Sequence, residues 1–162
     1  MTLPRFNANP RALVESVFER IDRERMRDVP LCNRALAVEA TDFIEWSGVW
    51  VGVVTTPWAM NLLVLPGLGA DDSFMPLRVG QTREREFPSG AYPFMGSEES
   101  GLGEYHYCPL FSPMDSFEDP AAARAVAQAA LDALFEVPAE VRTPGVARRD
   151  FLRRALGQRA SA

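Results

Sequence analysis

Apolar side chains recur at Leu13, Val14, Val17, Phe18 and Ile21, the spacing of a helix that buries one face. Asn9 stands where an N-cap belongs, Pro10 takes the first helical position, and Glu15, Glu19, Arg20 and Arg23 form a solvated opposite face. The pattern predicts a helix that runs out near Arg27, ahead of Pro30. From Leu36 the period changes to two, which puts Leu36, Val38, Ala40, Ile44 and Trp46 on one strand face, Asp42 out of pattern, and Glu39, Thr41 and Glu45 on the other. Ser47-Gly48 reads as a tight turn into residues 49–55, a strand mostly apolar in both phases. Residues 60–65 repeat that character until Pro66-Gly67 ends them. Strands apolar on both sides belong in the middle of a sheet, under helices.

Further along, Thr82-Arg83-Glu84-Arg85-Glu86 alternates charge without core content, as an exposed or edge strand does. Pro88-Ser89-Gly90 turns the chain into a strand at 91–95, residues 97–103 read as a loop, and residues 104–111 form another strand. Asp119 then caps a helix with Pro120 at its first position. Its polar stripe Arg124, Gln128, Asp132 and Glu136 leaves Val126, Ala130, Leu131, Leu134 and Phe135 to pack inward. The order helix, several strands, helix predicts an α+β fold, a largely antiparallel sheet with the N-terminal and C-terminal helices packed on one face. Residues 1–141 form the single domain and 142–162 a basic C-terminal tail.

The length of 162 residues suits one domain with its own core. All 17 basic residues are arginine, so lysine-amine catalysis is excluded. Residues 1–141 carry a net −10 and residues 142–162 a net +5. An acidic body argues against nucleic-acid binding. Two cysteines, Cys32 and Cys108, are too few for a disulfide scaffold or a closed zinc site and point to a reducing compartment. The opening residues have no apolar segment of a secretory signal. The stretch from Trp46 to Ala70 has 25 residues without a charge, yet Pro57, Asn61, Pro66 and its glycines break it, and two buried strands are expected in place of a membrane span.

Reactive side chains cluster in one place, Tyr105-His106-Tyr107-Cys108-Pro109. On a strand His106 and Cys108 share a face, two residues apart. The histidine could then activate the thiol or join it as a soft-metal ligand; alternatively Cys108 is a buried small hydrophobe. Cys32 is a further candidate beside them. The G-x-S-x-G, H-E-x-x-H and P-loop patterns are absent, and Glu98-Glu99 and Asp71-Asp72 read as solvated loop charge. The tail holds Arg148-Arg149-Asp150-Phe151-Leu152, the R-R-x-F-L core of a twin-arginine export signal, without an apolar stretch after it. It reads either as a solvated basic end or as a pseudo-signal, a copy of the ligand, in which Arg148, Arg149, Phe151 and Leu152 rest on the acidic body.

Two blocks carry a family resemblance. The run from Phe43-Ile44-Glu45-Trp46 through Thr56-Pro57-Trp58-Ala59-Met60-Asn61-Leu62-Leu63 to Gly67, and Tyr107-Cys108-Pro109-Leu110-Phe111-Ser112-Pro113-Met114, resemble the HybE/HupJ-type assembly chaperones of NiFe hydrogenases. The resemblance covers roughly residues 10–134. At Ser73-Phe74-Met75-Pro76 the chain departs from it, since the family pattern has tryptophan before the proline. The resemblance implies a cytoplasmic, non-enzymatic accessory protein that binds the hydrogenase small-subunit precursor and its twin-arginine signal until cofactors are inserted and the large subunit docks. Other hydrogenase accessory proteins are implied as partners, with no nucleic acid, no stable membrane insertion and no cofactor or catalytic residue of its own. A signal of arginines and apolar residues needs carboxylates beside an adaptable apolar surface, and Trp58, Met60, Leu63, Cys108, Phe111 and Met114 are the candidate partner-binding residues. Met60 and Leu62 share a phase opposite Asn61 and Leu63, so one pair alone faces any one side. The competing reading is a metal-delivery or redox-protective factor using Cys108, His106 and Cys32.

Overall fold

The hairpin of β3 (Val49–Thr55) and β4 (Met60–Pro66) lies inside a seven-stranded sheet, seen here in a computed structural model that describes residues 6–68 and 74–138. β1 (Glu39–Ala40) and β2 (Ile44–Trp46) both pair with the outer side of β3. Beyond β4 come β7 (Gly103–Phe111), β6 (Gly90–Glu99) and, at the edge, β5 (Thr82–Phe87), every pairing antiparallel. The helices are α1 (Arg11–Ile21), continued by a π-helical stretch at Asp22–Met26, and α2 (Pro120–Leu134).

Most local signals translate directly. Asp119 accepts a hydrogen bond from the Ala122 amide at 2.8 Å and starts α2 with Pro120 in its first turn. The Asn9 side chain accepts from the Arg11 amide at 3.1 Å, but α1 begins at Arg11 with Pro10 in the N-cap position, one residue later than the sequence predicts. Ser47 and Gly48 both have positive φ, 51° and 84°, as the two-residue turn between β2 and β3 requires. The uncharged stretch after Trp46 is this hairpin, and among the described residues no helix is long and apolar enough to cross a membrane.

The period-two reading of residues 36–46 needs correction. Leu36 is buried on the α2 side, Ala40 on the α1 side, and Ile44 is 38% exposed. Ala40 pairs with Val54 but Ile44 with Val51, so four steps along one strand stand against three along the other. One inserted residue reverses the phase. Thr41 stabilises the irregularity, its amide donating to the Val53 carbonyl and its hydroxyl accepting from the Val53 amide. The expected loop at 97–103 is shorter than predicted, because β6 continues to Glu99.

The α+β class and the antiparallel sheet stand as expected, but the two helices divide between the faces. Val51, Val53, Leu62 and Val64 pack with Val126, Ala130 and Leu131 of α2. Val54, Leu63, Leu65 and Tyr105 pack with Val14, Val17, Phe18 and Ile21 of α1. The double apolar phase of β3 and β4 demands this, since a single covered face would leave Leu63 and Leu65 in water. The sheet also curls around α2. Trp46 at one edge stacks on Phe87 at the other, ring centroids 4.9 Å apart, and Phe135 meets both rings edge-on.

Gly96 matters to this packing. A Cβ there would lie 2.6 Å from the Arg78 carbonyl oxygen and 2.7 Å from the Leu77 Cβ, because residues 77–81 lie flat on the strand. The Gly96 amide donates to the Gln81 carbonyl and the Gly80 amide to the Gly96 carbonyl. Gly96→Ala is expected to lower unfolding free energy by about 1–3 kcal/mol, measured by urea denaturation, since backbone must shift to admit the methyl.

Candidate functional site

A cleft of about 400 Å³ opens on the α1 face. Its floor is Leu63 of β4 with Tyr105 and Tyr107 of β7, its wall is Phe18 and Ile21 of α1 with Arg25 and Met26 of the π-helical stretch, and Trp58 stands at one end. The turn between β3 and β4 sets that tryptophan. The buried Thr56 hydroxyl accepts from the Ala59 amide at 3.0 Å and donates to the Ala59 carbonyl at 2.9 Å, which folds Thr56-Pro57-Trp58-Ala59 into a fixed loop. Phe18 meets Tyr105 edge-on at 6.3 Å. Burial holds the Tyr105 phenol above its ordinary pKa, partly opposed by a hydrogen bond to Ser97, so it stays a neutral donor at physiological pH.

One ion pair closes the cleft at the β6 end. Arg25 Nη2 donates to Glu99 Oε1 at 2.8 Å, and Arg20 donates to the Ser100 carbonyl at 2.6 Å. The π-helical stretch places Arg25 over the end of β6, and such stretches are frequent at functional sites. Apolar and aromatic walls with one exchangeable guanidinium–carboxylate pair suit an extended peptide that carries arginine beside apolar residues.

The candidate residues separate by phase. Trp58 stands half-buried at the cleft, Leu63 lies fully buried beneath the cleft floor, and Met60, Cys108 and Met114 lie fully buried in the core under α2, so of these five Trp58 alone is within reach of a partner in the folded chain. Phe111 is partly buried and packs edge-on against Phe117 at 5.2 Å. The aromatic and methionine side chains of the α1 wall and of Tyr105 and Tyr107 were missing from the sequence reading. A signal for them existed, because Tyr105 and Tyr107 sit in the strand phase opposite His106 and Cys108. Arg148, Arg149, Phe151 and Leu152 lie outside the described residues.

On the other face His106 is buried, 3% exposed, with the Phe74 ring stacked on it at 4.2 Å. Its Nδ1 lies 3.5 Å from Arg85 Nη2. A guanidinium only donates, so Nδ1 is the acceptor and the proton sits on Nε2, which finds no partner. Leaving a donor so buried costs about 1–3 kcal/mol. Burial, with the charges of Arg85 and Arg83, lowers the His106 pKa to about 4, so the ring is neutral at physiological pH. Cys108 shares the His106 face of β7 as expected but is sealed in the core, and Cys32 contacts the Met26 carbonyl at 3.5 Å. Neither thiol is in a disulfide. Among the described residues no group of three or more His, Cys, Asp or Glu could hold a metal ion.

The sequence matches the family model described as NiFe-hydrogenase assembly, chaperone, HybE, over residues 9–154. It is 39% identical over 156 residues to the hydrogenase expression/formation protein HupJ of Bradyrhizobium diazoefficiens, covering 91% of this chain and 89% of that one. To the protein HoxT of Cupriavidus necator it is 40% identical over 153 residues, covering 86% and 85%. The fold is similar to the solution structure of HybE from Escherichia coli, with a TM-score of 0.66 and 27% identity over 88% of this chain and 93% of that one.

Two measurements check the buried groups. With its pKa lowered in the fold, His106 resists protonation, so its contribution to stability is full above pH 6.5 and is lost as pH falls towards 4. Unfolding free energy across that window should fall on the order of 2 kcal/mol less in His106→Gln than in the unaltered protein, allowing for solvent screening, as read by urea midpoints. In a thiol titration of the native protein Cys32 should react and Cys108 should stay silent until denaturant is added.

Proposed function

Because the chain belongs to the HybE family of NiFe-hydrogenase assembly chaperones, we propose that it holds the hydrogenase small-subunit precursor by its twin-arginine signal, in the cleft on the α1 face. The assembly role is given by family membership, and its partners are hydrogenase subunits or accessory factors. The observation that carries the finer reading is an apolar, aromatic cleft whose single ion pair joins an arginine to a carboxylate. Arg25 occupies Glu99 as an internal guanidinium, and an arginine of the signal would take its place while apolar neighbours settle on Met26, Trp58 and Tyr107. The exchange is nearly neutral in energy, because one half-exposed ion pair replaces another, so affinity comes from the apolar contacts and release stays easy.

No catalytic step enters this reading. The chaperone occupies the precursor before export, which places its action in the cytoplasm, and keeps the small subunit from leaving until its cofactors are in and the large subunit has docked. The tail carrying Arg148-Arg149 and Phe151-Leu152 would compete for the same cleft as a built-in pseudo-signal. The metal-delivery or redox-protective alternative draws no support from the described geometry, with Cys108 sealed in the core.

Pull-down with the small-subunit precursor, with and without its signal, tests the reading. Recovery should depend on the signal, and Trp58→Ala or Glu99→Gln should weaken it roughly tenfold. Deleting residues 142–162 should tighten binding. Equal recovery of both precursor forms would remove the signal from the proposal.

A further inference from the structure

The two faces of the sheet carry different chemistry, and the α1 face accounts for only one. Beyond the end of α2's coverage, a cavity of about 110 Å³ lies over His106, lined by Arg83, Glu84 and Arg85 of β5 and closed by Met75 and Leu77. We propose that this cavity binds a carboxylate, brought either by a free small acid or by an acidic side chain of a partner polypeptide. It goes beyond the chaperone reading and does not depend on it, since the cavity and the signal-binding cleft are on opposite faces.

The argument starts at His106 Nε2. The ring is almost wholly buried, Phe74 fixes its plane by stacking, and Arg85 fixes the tautomer by donating to Nδ1. What is left is an N–H donor held rigidly and without an acceptor. Buried donors in native proteins are paired, so an unpaired one beside a cavity marks the place of an absent acceptor.

Charge selects the class of acceptor. Arg83 and Arg85 alternate onto the same face of β5, opposite Phe94 and Tyr92 in the register. A cation at Nε2 would meet both guanidiniums, which disfavours a metal ion. Arg83 and Arg85 make the wall beside the imidazole cationic, which matches an anionic acceptor. A carboxylate also fits the donors, with one oxygen for the imidazole N–H and the other for the Arg83 guanidinium. The volume admits such a head group and little more, well below the range of drug-sized pockets.

The chain has one histidine, so imidazole resonances report on this site alone. Long-range 1H–15N correlation spectra of the full-length protein should show the Nε2–H tautomer. Sodium acetate and the peptide acetyl-Gly-Glu-Gly-amide are the two probes, titrated at constant ionic strength with chloride and acetamide as controls. A saturable downfield shift of the Nε2–H proton with at least one carboxylate probe, absent with acetamide, is expected, and Arg83→Gln should weaken it roughly tenfold. Tighter binding of acetate would assign a free acid, and tighter binding of the peptide a partner's side chain. The proposal is overturned if neither probe shifts the resonance up to roughly 100 mM, far above ordinary ligand affinities. An equal response to acetamide, or indifference to Arg83→Gln, would also overturn it. Binding that emerges only in the Asp71→Asn, Asp72→Asn variant would assign the acceptor to the chain itself and overturn it as well.

Discussion

The requirement to cover two apolar faces of one hairpin organises this molecule. Val51, Val53, Leu62 and Val64 face one way and Val54, Leu63 and Leu65 the other, all fully buried. Each side chain of this size contributes on the order of 2 kcal/mol when removed from water, so neither face can be left open. α2 satisfies one side and packs closely because Ala123, Ala127 and Ala130 let the helix approach the sheet. α1 satisfies only part of the other, and the uncovered remainder is the cleft.

On the α1 face the cleft and the core share residues. The cleft floor is a core strand, so Leu63 and Tyr105 are held by the same packing that holds the fold. The α1 wall, Phe18 and Ile21, belongs to that core as well, and the rim above it is tied down by polar contacts, Arg25 with Glu99 and Arg20 with Ser100. The polar rim of the cleft therefore sits on a base that does not have to repack.

Much of the architecture was readable from pattern. The Asp119-Pro120 start, the Ser47-Gly48 turn and the doubly apolar strands each state a local preference that the tertiary structure obeys. Two readings failed for a common reason, that periodicity reports phase within an element but not what lies over it. The inserted residue between Ala40 and Ile44 reversed a phase that looked continuous, and the two helices could not be assigned to faces from their own sequences. The candidate partner-binding residues show the same limit. Met60 and Leu63 look alike as candidates near a turn, and the three-residue offset between them buries one under α2 and the other beneath the cleft floor on the α1 face. His106 could be recognised as unusual, but its missing partner is a property of the packed state alone.

The edge strand β5 has a consequence for how such a protein handles cargo. Among the described residues its run Thr82-Arg83-Glu84-Arg85-Glu86 forms the edge of the sheet, and it lines that edge with alternating charge. A newly made polypeptide rich in β-structure would find there a template it cannot easily extend, because strand addition would bury several of those charges. Main-chain pairing, the least discriminating form of protein contact, is thereby discouraged. Selection of cargo falls to side chains, and the chaperone can stand among unfolded chains without becoming a seed for their aggregation.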